Sequence, residues 1–222
     1  MFRSNVAAAL LILSVSSAAS AATYDLDFSN ANQVLSLDFG DNADANVSYR
    51  ETLPQFGDVA SGSGALRTWN AGYSDLIGVA YASTASNHGE IRIDANLPNS
   101  VITLHSFNLG AWNVGRPGSW AIYDSNWGLL GSGNNSVSAT QHLSVFPDVQ
   151  SSTGGLILQW GDNALLTGID NVSYSVSSVP LPAAIWLFGF SLLGLSRLKR
   201  IRHSYQPLPS LHRSLTHLAT KN

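Results

Sequence analysis

The 222-residue chain is predicted to be an all-β domain, a two-sheet sandwich of jelly-roll type, between an N-terminal signal peptide and a C-terminal transmembrane helix. Three observations lead to this prediction. Between residues 23 and 178, apolar and polar residues alternate over short runs, which is the pattern of half-buried strands. Clusters of Gly, Asn, Asp and Ser separate these runs. Each end of the chain also carries a longer, nearly unbroken apolar run.

Residues 1–22 have the three parts of a secretory signal peptide in order. Arg3 supplies positive charge, residues 6–15 form an apolar run, and Ala19-Ser20-Ala21 fits the small-x-small cleavage rule. The run is shorter than the roughly 20 apolar residues of a membrane-spanning helix. We therefore expect export, with cleavage after Ala21 or Ala22; a buried helix of a cytosolic protein is the alternative.

Ten candidate strands follow in residues 23–178, the predicted secreted domain. The alternation is cleanest in residues 91–94 and 172–176, and turn clusters at 131–135 and 161–163 separate neighbouring runs. This number of short strands favours a sandwich over a barrel, and the absence of a fixed repeat argues against a propeller or solenoid. The predicted strands are 24–28, 34–39, 46–50, 76–81, 90–95, 101–109, 119–123, 137–145, 155–159 and 168–176.

A second apolar segment occupies residues 179–202. Beyond Pro180 and Pro182 the sequence predicts a transmembrane helix of about 15 residues, near the lower limit for a single span. Positive charge directly after a span holds that end in the cytoplasm, so the domain is expected on the outer side. The basic stop consists of Arg197, Lys199, Arg200 and Arg202.

This segment resembles a known sorting signal. Val179-Pro180-Leu181-Pro182, followed by Ala183-Ala184, an apolar helix and basic residues, is similar to the PEP-CTERM signal of Gram-negative bacteria, with Leu181 in place of the glutamate of Pro-Glu-Pro. The resemblance implies an exosortase-type membrane protease as partner and removal of the apolar tail. It also implies passage through the inner membrane to the cell envelope, the surface or an exopolysaccharide or biofilm matrix.

The chain departs from the family pattern after the basic residues. In the family the basic cluster normally ends the chain, whereas here residues 203–222 follow, with Pro207 and Pro209 and no clear apolar period. We expect this stretch to be a disordered cytoplasmic tail. A single-pass anchor that is never cut is the alternative to sorting.

The second half of the domain has a looser resemblance. Residues 101–109, then Trp120-Ala121-Ile122-Tyr123-Asp124, then the closing strand Gly168-Ile169-Asp170-Asn171-Val172 are similar to galactose-binding-like and other lectin-like jelly rolls. The resemblance implies the fold of this region.

Charge is distributed unevenly along the chain. Residues 23–178 contain four arginines, no lysine and all fourteen acidic residues, which gives a net charge of −10. An acidic surface repels nucleic acid, so a nucleic-acid partner is not expected. The chain has no cysteine, which excludes thiolate catalysis, disulfides and cysteine-bound zinc.

Tryptophan is the main candidate for ligand binding. Indole faces can stack on sugar rings, and Trp112 and Trp127 lie in Gly- and Asn-rich surroundings that favour exposure. Trp120 and Trp160 lie within strand patterns and are expected in the core, which is also the default for any tryptophan of a sandwich. We therefore name Trp112 and Trp127 as candidate carbohydrate-stacking residues.

Calcium is the only cofactor that the sequence suggests. Asp170 and Asn171 on the last predicted strand are candidate oxygen ligands, and the acidic loop 38–46 is a second candidate, although it lacks the order of an EF-hand. Solvated acids in turns explain both without a metal.

The sequence contains no recognisable catalytic set. His88, His105 and His142 lack metal-ligand spacing, there is no Gly-x-Ser-x-Gly elbow, and nothing selects Glu51 and Glu90 as a glycosidase pair. We therefore predict no catalytic residue and a non-enzymatic, polysaccharide-associated protein. The alternatives are an anchored polysaccharide-active enzyme, a glycoside hydrolase or lyase, and a structural coat protein without a ligand.

Overall fold

The computed structural model describes residues 21–29 and 33–178, which form twelve β-strands. The expected sorting motif at 179–182, the helix and basic stop, the tail 203–222 and most of the signal peptide lie outside the described residues. Ala22 begins the first strand. The strands are β1 Ala22–Leu26, β2 Ala45–Thr52, β3 Leu66–Trp69, β4 Val79–Ala82, β5 His88–Ala95, β6 Ser100–Ala111, β7 Arg116–Asp124, β8 Leu129–Val137, β9 Leu143–Val145, β10 Val149–Ser151, β11 Gly155–Gly161 and β12 Thr167–Ser178. In the described part of the chain, no helix is long and apolar enough to cross a membrane.

The strands form two antiparallel sheets. One has seven strands, ordered β10-β6-β12-β4-β3, with β1 beside β12 and β9 beside β6. The other has five, ordered β2-β5-β11-β7-β8. The longest pairing joins β6 and β12, twelve residues each. The prediction of an all-β, two-sheet sandwich is confirmed.

The core lies between the sheets and follows from strand alternation. In β11, Leu156, Leu158 and Trp160 point inward, while Ile157 joins a separate cluster on the outer face of the same sheet. Successive side chains of a strand point to opposite faces, so this division is expected. Each fully buried leucine or isoleucine contributes about 1.5–3 kcal/mol.

Trp160 links the two sheets. Its side chain is fully buried, and its indole N–H donates a hydrogen bond of 2.9 Å to the carbonyl oxygen of Thr167, at the start of β12. Gly89 on the neighbouring β5 leaves room for the indole, because a β-carbon there would overlap the ring. Trp160 is therefore in the core, as predicted. Trp120 is only partly buried and packs edge-on against Phe107 at 5.6 Å.

Several predicted strands differ from those observed. Residues 34–39 form a bridge and a turn rather than a strand, and within 137–145 only Val137 and residues 143–145 belong to strands. The predicted turn at 131–135 lies inside β8, and β3 and β10 were missed. In β8 a β-carbon at Gly133 would come within 2.6 Å of Trp120 Cζ2, so this position of the strand requires glycine.

Both sheets carry loops on their outer faces. On the five-stranded sheet, Gln159 exchanges two hydrogen bonds with the backbone of Gly57, at 2.8 and 2.9 Å, and Phe56 lies 4.3 Å from the ring of His88. On the seven-stranded sheet, the loop between β3 and β4 places Tyr73 and Leu76 against Val79. This second loop forms one wall of the candidate site.

Candidate functional site

The site begins with the outward-facing residues of β3 and β4. Leu66 and Thr68 are buried, whereas Arg67 is exposed and Trp69 half-buried, as expected for alternate positions of one strand. Antiparallel pairing sets Arg67 opposite Tyr81. The β3–β4 edge of the sheet thus presents a cation and two aromatic rings on one face.

Two further segments contribute to the site: the residues just after β6 and the loop that precedes β4. Tyr73 forms an isolated antiparallel bridge with Trp112, and the backbone N–H of Trp112 donates to the carbonyl oxygen of Leu166 at 3.0 Å. Gly72 has φ +81°, and a β-carbon there would lie 2.6 Å from Trp112 Cζ3. Glycine is therefore required for the loop to pass this close to the indole.

Four aromatic rings meet at this place. Trp69 and Trp112 are nearly perpendicular, at 80° and 5.9 Å between centroids. Tyr73 lies 5.2 Å from Trp112 and 6.0 Å from Tyr81. They enclose a pocket of about 280 Å³ that we call the aromatic groove, lined by Trp69, Tyr73, Tyr81, Trp112, Leu165 and Leu166.

Tyr73 forms the floor of the aromatic groove, and the other rings are partly open. Tyr73 is buried, and its hydroxyl donates to the carbonyl oxygen of Leu165. Burial raises the pKa of this hydroxyl well above its usual range, with Tyr81 adding to the effect, so Tyr73 stays neutral. Trp69, Tyr81 and Trp112 are half-buried and present ring surface to solvent.

The two indoles of the aromatic groove keep their polar atoms free. Among the described residues, the N–H groups of Trp69 and Trp112 donate no hydrogen bond to the protein, in contrast to that of Trp160. The groove therefore offers apolar ring faces together with two indole donors. Ligand pockets usually measure about 300–1,000 Å³, so this one fits a group of the size of a single ring.

Trp127 is not part of the aromatic groove. It lies 5.5 Å from Tyr123 and joins the cluster on the outer face of the five-stranded sheet. There it borders a polar cleft of about 420 Å³ that includes Arg50 and Glu90. Trp112 and Trp127 consequently lie on different sheets and do not form one platform.

The calcium candidates are held in hydrogen bonds. Asp170 is 4 % exposed, and its Oδ1 accepts the N–H of Phe28 at 3.1 Å. Its Oδ2 accepts the side-chain amide of Asn171 at 3.0 Å. Burial raises the pKa of Asp170 to about 6, and interactions with the backbone N–H groups of Phe28 and Asn171 oppose that shift. In the described residues no group of three or more acidic or histidine side chains is placed to hold a metal ion, and calcium at Asp170 and Asn171 stays a prediction.

The second acidic candidate, loop 38–46, is also engaged by the protein. Asp41 Oδ1 accepts the backbone N–H of Val47 at 2.6 Å, and Asp44 accepts the hydroxyl of Tyr24 at 2.5 Å. These acids tie β1 and β2 to the turn between them.

The two glutamates occupy different environments. Glu51 is opposite Gly89, whose α-carbon faces Trp160 in the core, while Glu90 is opposite Arg50 on the outer face. Glu90 forms a two-point ion pair with Arg50, at 2.5 and 3.0 Å. Because neighbouring positions point to opposite faces of the sheet, Glu51 and Glu90 do not form the facing carboxylate pair of a glycosidase.

Sequence reasoning found one of the four rings of the aromatic groove. Trp112 is a candidate from the sequence, whereas Trp69, Tyr73 and Tyr81 are not identified by it. The β-branched Thr68 and the aromatic Trp69, residue types that favour strands, are an available signal for β3. The contact between Tyr73 and Trp112 joins residues far apart in sequence, and no local pattern predicts it.

A scan against protein-family models and a search of curated proteins returned no match. Among solved structures, an arabinose-bound α-L-arabinofuranosidase, MgGH51, aligns with a TM-score of 0.34 and 9 % identity, over 58 % of this chain and 26 % of that one. The Agl-KA catalytic domain aligns with a TM-score of 0.27 and 12 % identity, over 73 % of this chain and 28 % of that one. This chain spans little more than a quarter of either protein, and likeness at these scores establishes neither a shared family nor a shared activity.

Proposed function

We propose that this chain is an exported surface or matrix protein whose sandwich binds polysaccharide without modifying it. The aromatic groove carries the proposal. Three half-buried rings, Trp69, Tyr81 and Trp112, surround a pocket of about 280 Å³ and present ring faces to solvent. The finer fold that we propose is a jelly roll of the galactose-binding-like or lectin-like type.

Sugar is the ligand class that fits these rings best. One face of a sugar ring carries C–H groups that pack on the negative face of an indole, while its hydroxyls need donors and acceptors. The indole N–H groups of Trp69 and Trp112, which make no hydrogen bond within the described residues, are available as donors. The rings are fixed by two paired strands and by the Trp112–Leu166 hydrogen bond of 3.0 Å, so little side-chain freedom is lost on binding.

Sorting by exosortase is the second part of the proposal. The motif Val179-Pro180-Leu181-Pro182 follows directly after β12, which ends at Ser178. The chain would pass through the inner membrane, lose the apolar tail and reach the cell envelope, surface or extracellular matrix. The intact mass of the mature protein from its native host tests this: an end near Val179–Pro182 is expected, whereas a chain that runs to Asn222 would indicate a permanent anchor.

Glycan binding by two matched tryptophan variants tests the groove. Binding of the purified chain to a glycan array is measured first, and affinities for the best glycans then follow from calorimetry. Trp112→Ala should weaken binding about tenfold or more, equivalent to about 1.4 kcal/mol, because a stacking face is lost. Trp127→Ala, on the other sheet, should leave it unchanged.

Folding is checked alongside, because Trp112 also packs on Tyr73. Tyr81→Ala provides a second groove variant on a different strand, β4, and thermal unfolding is recorded for all three. If the folded Trp112 and Tyr81 variants bind as tightly as the unchanged chain, the groove is not the binding site. Loss of binding in Trp127→Ala alone would move the site to the five-stranded sheet.

A further inference from the structure

The arginines of the domain fall into two pairs with different environments. The described residues contain four arginines and no lysine. On the five-stranded sheet, Arg50 binds Glu90 at 2.5 Å and Arg92 binds Asp94 at 2.8 Å. The charge of these two arginines is neutralised by carboxylates of the same sheet.

The other two arginines adjoin the aromatic groove. Arg67 is exposed, opposite Tyr81 across the β3–β4 pairing and two residues from Trp69. Arg116 Nη2 donates to the carbonyl oxygen of Trp112 at 2.9 Å. Neither arginine forms an ion pair with a carboxylate of the described residues, and Arg116 Nε is a buried donor without a hydrogen-bond partner there.

The described residues that line the groove offer no carboxylate to compete with a ligand. None of the residues lining it is acidic. Asp75, the acid on the loop that bears Tyr73, is turned to His142, whose Nδ1 lies 2.8 Å from its carboxylate. In a domain of net charge −10, the aromatic groove is thus flanked by the two positive charges that the described carboxylates leave unpaired.

We infer that the aromatic groove recognises an acidic sugar residue, with the ring stacked on Trp112 or Trp69 and the anionic group bound by Arg67 or Arg116. This rests on the proposed function and narrows its ligand class. A guanidinium with free N–H groups binds carboxylate or sulfate through charge-assisted hydrogen bonds.

Matched pairs of glycans provide the test. The probes are hexuronate oligosaccharides (glucuronate, galacturonate and alginate types), the same oligosaccharides with their carboxylates reduced to alcohols, and sulfated glycans of similar length. We expect the acidic forms to bind at least tenfold more tightly than the reduced forms. The sulfated arm shows whether the anionic group is a carboxylate or a sulfate.

Arginine variants test whether the preference for acidic glycans arises at the groove. Arg67→Gln and Arg116→Gln should each lower the affinity for the acidic glycan about fivefold or more, and leave the affinity for the reduced glycan unchanged. Arg92→Gln, which replaces an arginine already paired with Asp94, is the matched control and should change neither. Arg116→Lys, which keeps the charge, should recover part of the preference if Arg116 acts on the ligand, and thermal unfolding reports any damage to the fold.

The outcomes separate this inference from the proposed function. If acidic and reduced glycans bind equally, and Trp112→Ala still weakens both, the groove binds sugar but the acidic preference is wrong. A preference that survives in Arg67→Gln and in a folded Arg116→Gln would overturn the roles of these arginines. Failure of every glycan to bind would overturn the proposed function and this inference together.

Discussion

Replacing Asp170 by asparagine changes a buried carboxyl that ties two strands together. Asp170 lies on β12, and its Oδ1 accepts the backbone N–H of Phe28 just beyond β1, at 3.1 Å. The side chain is 4 % exposed, and no cation pairs with it among the described residues. Asparagine has the same shape, keeps an oxygen for the Phe28 bond and carries no charge at any pH.

The size of the effect follows from the pKa of Asp170. Burial raises this pKa from 3.8 to about 6, with Asp27 adding to the shift and His142 opposing it. The folded state therefore holds a proton that the unfolded state has lost between about pH 4 and pH 6, so stability falls as pH rises through this window. About two pKa units at about 1.4 kcal/mol each give on the order of 3 kcal/mol by pH 7.

Urea unfolding at several pH values between about 4 and 7 measures this effect. The useful quantity is the difference in unfolding free energy between the unchanged chain and Asp170→Asn, because other groups titrate equally in both. We expect this difference to move in favour of the variant by on the order of 3 kcal/mol as pH rises. Asp25→Asn, an exposed position of β1, should show little change. A pH-independent difference for Asp170→Asn would refute the reasoning.

Two further variants test the packing of the five-stranded sheet. Gly89→Ala should destabilise the fold by about 1–3 kcal/mol or more, because the new β-carbon overlaps the indole of Trp160. The control is Gly131→Ala, whose β-carbon would meet Val149 Cγ1 at an ordinary 3.6 Å, and equal unfolding midpoints for the two variants would contradict the prediction. Glu51→Ala should lower the unfolding free energy by about 2–4 kcal/mol, because Glu51 is buried and accepts hydrogen bonds from Ser83 and Asn87. If denaturant titration gives the same unfolding free energy as for the unchanged chain, these donors are satisfied by other groups.

The central strands could be predicted because their sequences show both the alternation of a half-buried strand and the residue types that favour extended backbone. In β5 and β12 the inward positions are apolar and the outward ones polar or small, and the β-branched residues favour extended backbone. β8 could not be predicted in this way. Its sequence, Leu129–Val137, is rich in Gly, Ser and Asn, which usually signal turns, and it is an edge strand whose partner β7 supplies the bulky Trp120. Glycine is required at Gly133 of β8 because the side chain of Trp120 on β7 occupies the space of a β-carbon.

The aromatic groove could be predicted only in part, because its rings come from segments that are distant in sequence. Trp112 stood out because its surroundings in the sequence are loop-like. Its partners come from β3, from β4 and from the loop between them, which only the sheet order brings to Trp112. Trp127 has similar surroundings in the sequence, yet it packs on Tyr123 of the other sheet. Local composition therefore indicated exposure at both tryptophans, but not which rings would share a site.

The placement of charge gives the groove a basis for selectivity. The net charge of −10 acts over the whole domain and opposes nonspecific adsorption to an acidic polymer. At physiological ionic strength this repulsion is screened beyond about 8 Å, whereas Arg67 and Arg116 adjoin the aromatic rings. A polyanion without a sugar ring would meet the repulsion and gain no stacking, and a neutral sugar would gain stacking alone. Only an acidic sugar would use the rings and the arginines together, and this is the basis of the selectivity that we propose.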